Sequence, residues 1–119
     1  MKKILIIEDE PDVAKTIKLY LEGEGYLADI SLKPDDAVKK LQKYDLLLLD
    51  LIMPKVSGRG VLKQMKEKGI KVPVVVLSAV TMPKTVASEL ARDYPDLVFV
   101  PKTQMYAELL SAIKKALKK

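Results

Sequence analysis

The stretch Leu46-Leu47-Leu48-Leu49-Asp50-Leu51-Ile52-Met53-Pro54, followed by Ser57-Gly58, decides how the chain is read. Its run of leucines, bounded by a charged residue and a proline turn, suits a strand buried on both faces. An Asp closing such a strand lies at the border of the core, where its charge can face a crevice. Taken alone, Asp50 reads equally well as a strand end or helix cap turned to water. Its weight comes from other strands that end in the same way.

Outward from that strand, short apolar runs alternate with amphipathic segments. Ile4 to Ile7 reads as the first buried strand, and Pro11 then suits the first position of a helix, where its missing N–H costs nothing. Val13, Ala14, Ile17 and Leu21 form the apolar stripe of that helix, which Gly23 and Gly25 end. Leu27 to Leu32 alternates and reads as an edge strand with Leu27, Ala28 and Ile30 as its apolar residues. Pro34 opens a second helix carrying Ala37, Val38 and Leu41, and Leu46 to Leu49 is the third strand. A third helix starts at Ser57 or Gly58, carries Val61, Leu62 and Met65, and closes near Gly69. Val74 to Leu77 is the fourth strand. Thr81 is expected to cap a fourth helix with Pro83 in its first turn and Val86, Leu90 and Ala91 on its apolar face. Pro95-Asp96 breaks it, and Leu97 to Val100 is the fifth strand. Thr103 is expected to cap the last helix, with Tyr106, Leu109, Leu110, Ile113 and Leu117 facing inward.

Five strands alternating with five helices predict an α/β domain, with a parallel sheet covered by helices on both faces. The most apolar strands belong inside and the second at an edge, which favours the doubly wound order 2-1-3-4-5. Function in such sheets lies beyond the carboxyl ends of the strands, at the switch point between the first and third. The 119 residues are expected to form one domain, and 49% hydrophobic with 31% charged residues is a globular balance. There is no cysteine, hence no disulfide or thiolate chemistry, and no histidine, hence no histidine base, nucleophile or metal ligand. No apolar run approaches the roughly 18 residues of a membrane span. The first run is cut by Glu8-Asp9-Glu10, too early for a signal peptide, so a cytoplasmic protein without membrane insertion is expected. The net charge of +5 is lysine scattered along helices, with aromatics only 5% of the chain. Solvated helix faces explain it better than a nucleic-acid surface, and no direct nucleic-acid binding is expected.

Glu8 and Asp9 follow the first strand, Asp50 ends the third, Ser78 the fourth, and Lys102 lies just past the fifth. Three carboxylates, a hydroxyl and an ammonium therefore converge on one edge of the predicted sheet. Close carboxylates repel and raise one another's pKa unless a positive charge sits among them. A hard divalent cation with oxygen ligands, such as Mg2+, meets that need. One carboxylate is then able to attack a phosphoryl group, with the metal, the ammonium and the hydroxyl stabilising its equatorial oxygens.

These residues resemble the receiver domains of two-component response regulators over essentially the whole chain, residues 1–119. The resemblance rests on Ile4 through Pro11, on Asp50-Leu51-Ile52-Met53-Pro54 with Gly58, on Leu77-Ser78-Ala79, and on Phe99 through Lys102. It implies a flavodoxin-like three-layer (βα)5 fold, the chemotaxis-type members of which share the order 2-1-3-4-5. The resemblance further implies that Asp50 accepts a phosphoryl group from a histidine of a partner kinase or phosphotransfer protein. The chain would catalyse its own phosphorylation and dephosphorylation rather than turn over a substrate. By the same resemblance Asp9, Asp50 and the carbonyl of Ile52 bind Mg2+ directly, and Glu8 acts through metal-bound water. Ser78, the amide of Ala79 and Lys102 meet the phosphoryl oxygens. Phe99 matches the family's switch aromatic, and plain packing in the fifth strand reads it equally well.

The chain departs from the family pattern in two places. The usual order after the fifth strand is Lys then Pro with a cis bond between them. Here Pro101 precedes Lys102, so any cis bond is expected at Val100-Pro101, and Lys84 is the rival cation if Lys102 is misplaced. The segment Arg92-Asp93-Tyr94-Pro95-Asp96 also lacks the family's small Gly-Ala pair. Ile52 and Val80, two residues beyond Asp50 and Ser78, are apolar and cannot orient a water, which predicts slow self-dephosphorylation. Only Lys118-Lys119 follows the last helix. The expected output is therefore docking of a protein target through the fourth helix, fifth strand and fifth helix, or service to an effector domain missing from this sequence. A degenerate receiver that only binds proteins is the alternative. An aspartyl-phosphate phosphatase is disfavoured by Ile52 in place of a second Asp, and a dinucleotide enzyme by Glu8-Asp9-Glu10 in place of a glycine-rich loop.

Overall fold

The apolar runs become the strands of one sheet: Lys3–Ile7 (β1), Leu27–Ser31 (β2), Leu46–Asp50 (β3), Val74–Ser78 (β4) and Val98–Pro101 (β5). Helices Pro11–Gly23 (α1), Pro34–Lys40 (α2), Gly58–Glu67 (α3), Lys84–Asp93 (α4) and Met105–Leu117 (α5) alternate with them. Short 3-10 turns occupy Leu41–Lys43 and Lys102–Gln104. The computed structural model describes residues 1–8, 10–31, 34–50, 58–78 and 84–118, with backbone alone for 34–36, 58–59, 78 and 84–87. The sheet order is β2-β1-β3-β4-β5 and every neighbouring pair is parallel, as the sequence predicts.

Because side chains alternate along a strand, each buried run feeds two cores. Ile4, Ile6, Leu46, Leu48, Val75, Leu77 and Val100 meet Ile17 and Leu21 of α1 and Leu109 and Ile113 of α5 on one face. Leu5, Ile7, Leu47, Leu49, Val74 and Val76 meet Ala37 and Val38 of α2, Val61, Leu62 and Met65 of α3, and Leu90 of α4 on the other. The leucine run in β3 is thus split between opposite sides of the sheet and is wholly buried. β2, at an edge, leaves Leu27 43% exposed.

Two helices end on the same glycine device. Gly25 has φ +93° and Gly69 φ +68°, the left-handed region where a side chain is strained. After α1, the N–H of Tyr26 donates to the Leu21 carbonyl and that of Gly25 to Glu22. After α3, the N–H of Ile70 donates to Met65 and that of Gly69 to Lys66. These paired bonds satisfy the last helical carbonyls and turn the chain back toward β2 and β4.

Several local expectations need correction. Thr103 does not cap α5: Lys102–Gln104 first winds a 3-10 turn, closed by Met105 N–H donating to the Lys102 carbonyl, and Gln104 precedes the helix without a side-chain cap. Tyr106 is 50% exposed, its ring meeting Tyr20 edge-on at 5.2 Å. Ala91 is exposed, whereas Val13, partly buried, does pack against the core as the apolar stripe of α1 requires. β5 begins one residue later than expected, because the N–H of Leu97 is used in a turn to the Tyr94 carbonyl. No peptide bond among the described residues is cis. Thr81 and Pro83 lie outside the described residues.

The chain passes from β1 to β2 on one side and then returns across β1 to β3 on the other. A crevice therefore opens where the carboxyl ends of β1 and β3 part.

Candidate functional site

Glu8 directly follows β1, and Asp50 is the last residue of β3, one step beyond the register pair Ile7 and Leu49. Both side chains are buried, each residue being 1% exposed. The third group arrives from β5. Lys102 opens the turn after that strand, and its Nζ donates to Asp50 Oδ2 at 2.8 Å and lies 3.8 Å from Glu8 Oε2. The main-chain N–H of Glu10 donates to Glu8 Oε1 at 3.3 Å. Glu8 Oε2 is buried and has no hydrogen-bond donor among the described residues.

Burial pushes the Glu8 carboxyl up from 4.5 to about 8, reinforced by its hydrogen bond with Asp50 and by the charge of Asp50. Lys102 and the Glu10 amide act in the opposite sense. For Lys102 burial works against the charge, but the Asp50 hydrogen bond and the carboxylates of Asp50, Glu8 and Glu10 together raise its pKa. The site is thus an acidic notch with a buried carboxylate oxygen that no described residue satisfies, beside a lysine. Oxygen donors of this kind fit a hard divalent cation such as Mg2+. No group of three His, Cys, Asp or Glu side chains placed to hold a metal occurs among the described residues, a set that does not contain Asp9.

The family model for the response regulator receiver domain matches residues 4–114. This chain belongs to that family. A curated relative of the receiver is the response regulator SaeR of Staphylococcus aureus, 31% identical over 97% of this chain and 53% of its own length. The transcriptional regulatory protein DltR of Streptococcus agalactiae is 38% identical over 65% of this chain and 35% of its own. The receiver therefore spans about half or less of these relatives. Among solved structures, the response regulator protein TrrA of Thermotoga maritima, in complex with Mg2+-BeF, is 31% identical. It matches with a TM-score of 0.80 over 98% of this chain and 99% of that one. FixJ-N, 21% identical with a TM-score of 0.85 over 99% and 94% of the two chains, shares the fold.

Of the residues singled out in the receiver's sequence, Glu8, Asp50 and Lys102 come together. Ser78 ends β4, in register with Pro101, and its side chain is outside the described residues, as is that of the rival Lys84. Asp9, Ile52, Ala79 and Val80 lie outside them altogether. Phe99 is half-buried against the core on the α4 side. Sequence reasoning missed the Glu10 amide that holds Glu8 Oε1. Its signal was position alone, two residues along a chain turning out of β1.

Proposed function

We propose that this receiver accepts a phosphoryl group on Asp50 from a phosphohistidine of a partner kinase or phosphotransfer protein, in a Mg2+-dependent reaction. The observation that carries this reading is the buried Glu8 and Asp50 pair bridged by Lys102 at the β1/β3 crevice. In the transfer an Asp50 carboxylate oxygen forms a bond to phosphorus as the phosphorus–nitrogen bond of the donor breaks. The electron pair leaves with the imidazole, which takes up a proton. Lys102 passes from the carboxylate to an oxygen of the incoming group, while the Ser78 hydroxyl and the Ala79 amide donate to others. Glu8, Asp9, Asp50 and the carbonyl of Ile52 would hold Mg2+, with Glu8 acting through bound water. The metal supplies charge neutralisation at the equatorial oxygens. The chain's lack of histidine makes it a recipient that depends on a donor in trans.

No helix among the described residues is long and apolar enough to cross a membrane. A cytoplasmic location accords with that, and with a kinase partner. In this reading the acyl phosphate shifts the α4-β5-α5 face, with Phe99 following Ser78, toward a protein target or an attached effector. The test is intact mass after acetyl phosphate with and without Mg2+. One phosphoryl increment is expected with Mg2+, none without it and none in Asp50→Ala. An unmodified wild type would instead favour a degenerate, protein-binding receiver. After donor removal the increment should fade slowly, since Ile52 and Val80 are apolar; decay as fast as in chemotaxis-type receivers would contradict that part.

A further inference from the structure

Pro101 and Lys102 stand in the reverse of the order usual among receivers, yet the lysine still reaches the acidic notch. Pro101 is the last residue of β5, in register with Ser78 at the end of β4. β5 is an edge strand, where a proline takes no hydrogen bond from a second neighbour. Its φ of −63° and ψ of 135° keep the chain extended up to this point, and the ring locks that φ. The next three residues wind at once into the 3-10 turn Lys102–Gln104. Lys102 is therefore the first residue past an abrupt change from strand to turn. From that position its flexible stem spans to Asp50 at 2.8 Å and toward Glu8 at 3.8 Å. A lysine has many rotamers, so the direction in which the backbone launches it decides how often it arrives.

We infer that Pro101 is a positioning residue: its locked φ ends β5 at the rung opposite Ser78 and launches Lys102 toward Asp50 and Glu8. In this chain the proline acts from before the lysine, by fixing where the strand stops. The kinetic consequence rests on the phosphoacceptor reading of Asp50, whereas the placement of Lys102 does not.

The test uses Pro101→Ala and, as the conservative variant, Pro101→Val, whose branched side chain favours the same extended backbone. In the first arm, lysines of the metal-free protein are acylated with an N-hydroxysuccinimide ester and followed by peptide mass, with exposed Lys114 and Lys115 as internal standards. Lys102 should react slowly in the wild type and about two- to fivefold faster in Pro101→Ala, the freedom that a locked φ removes. Pro101→Val should restore most of the protection. In the second arm, phosphorylation by acetyl phosphate with Mg2+ is timed for the wild type, Pro101→Ala, Lys102→Ala and the double variant. Pro101→Ala should slow the reaction about five- to tenfold when Lys102 is present. In the Lys102→Ala background it should change the rate by less than about twofold, because nothing remains for it to aim. Unchanged Lys102 labelling in Pro101→Ala overturns the inference, as does a rate loss that persists undiminished without Lys102. If no protein is phosphorylated while Lys102 labelling responds as expected, the phosphoacceptor reading fails and the positioning role stands. Should Pro101→Ala not fold, Pro101→Ser, which frees φ in the same way, carries both arms with the same expected directions.

Discussion

Among the described residues Glu8 Oε2 is buried without a hydrogen-bond donor, 3.8 Å from an ammonium that bonds Asp50 instead. A bound divalent cation would relieve it. Mg2+ at about a hundred times its dissociation constant should add about 2.7 kcal/mol to stability, visible as a raised thermal midpoint by circular dichroism. Glu8→Gln, with less charge to offer, should show a clearly smaller Mg2+ shift; equal shifts in both proteins would separate Glu8 from the metal. A second residue-scale prediction concerns Tyr44, whose hydroxyl donates to Asp29 Oδ2 at 2.7 Å. Burial, aided by that hydrogen bond and the Asp29 charge, pushes its pKa from 10.0 up to about 12. The folded state thus holds this proton more tightly than the unfolded one. The resulting stabilisation is complete below pH 10 and is lost as pH rises through 12. In an ultraviolet titration a late tyrosine ionisation is expected, and Tyr44→Phe should lack that late step. Sequence placed Glu8, Asp50 and Lys102 at one sheet edge, because each follows a recognisable buried strand. It did not give which oxygen each would hold, since reach depends on where β5 stops and how the next turn is wound.

At the scale of elements, helix ends and strand limits were legible where a residue has a single conformational use. Gly25 and Gly69 announced the ends of α1 and α3, because only glycine is comfortable at their positive φ. Thr103 was misread because a hydroxyl is suitable for capping wherever it falls, while the 3-10 turn after Lys102 moved the helix start to Met105. The glycines give opposed predictions. No atom of the described residues lies within 4 Å of a Cβ built on Gly25, so Gly25→Ala meets backbone strain and should cost about 1–2 kcal/mol. Gly60, inside α3 and equally unobstructed by the described residues, should gain about 0.5–1 kcal/mol as Gly60→Ala. Urea denaturation of the two variants checks the sign of each.

Across the whole molecule, the alternation of strands and helices carried the topology, and the leucine run of β3 carried its centre. Leu47 and Leu48 are both fully buried but belong to opposite cores, so each face can be tested separately. Leu47→Ala and Leu48→Ala should each lower stability by about 2–5 kcal/mol in chemical denaturation, and a near-neutral result for either would mean that its face is not packed as described. The same strand delivers Asp50 to the crevice, so fold and site share one element. That junction is tested most directly by borohydride reduction of the protein after acetyl phosphate and Mg2+, followed by tandem mass spectrometry of its peptides. An aspartyl phosphate is reduced to homoserine, and the account predicts homoserine at position 50 alone, dependent on Mg2+. Homoserine at a different carboxylate, or none in a protein that has gained the phosphoryl mass, would contradict it.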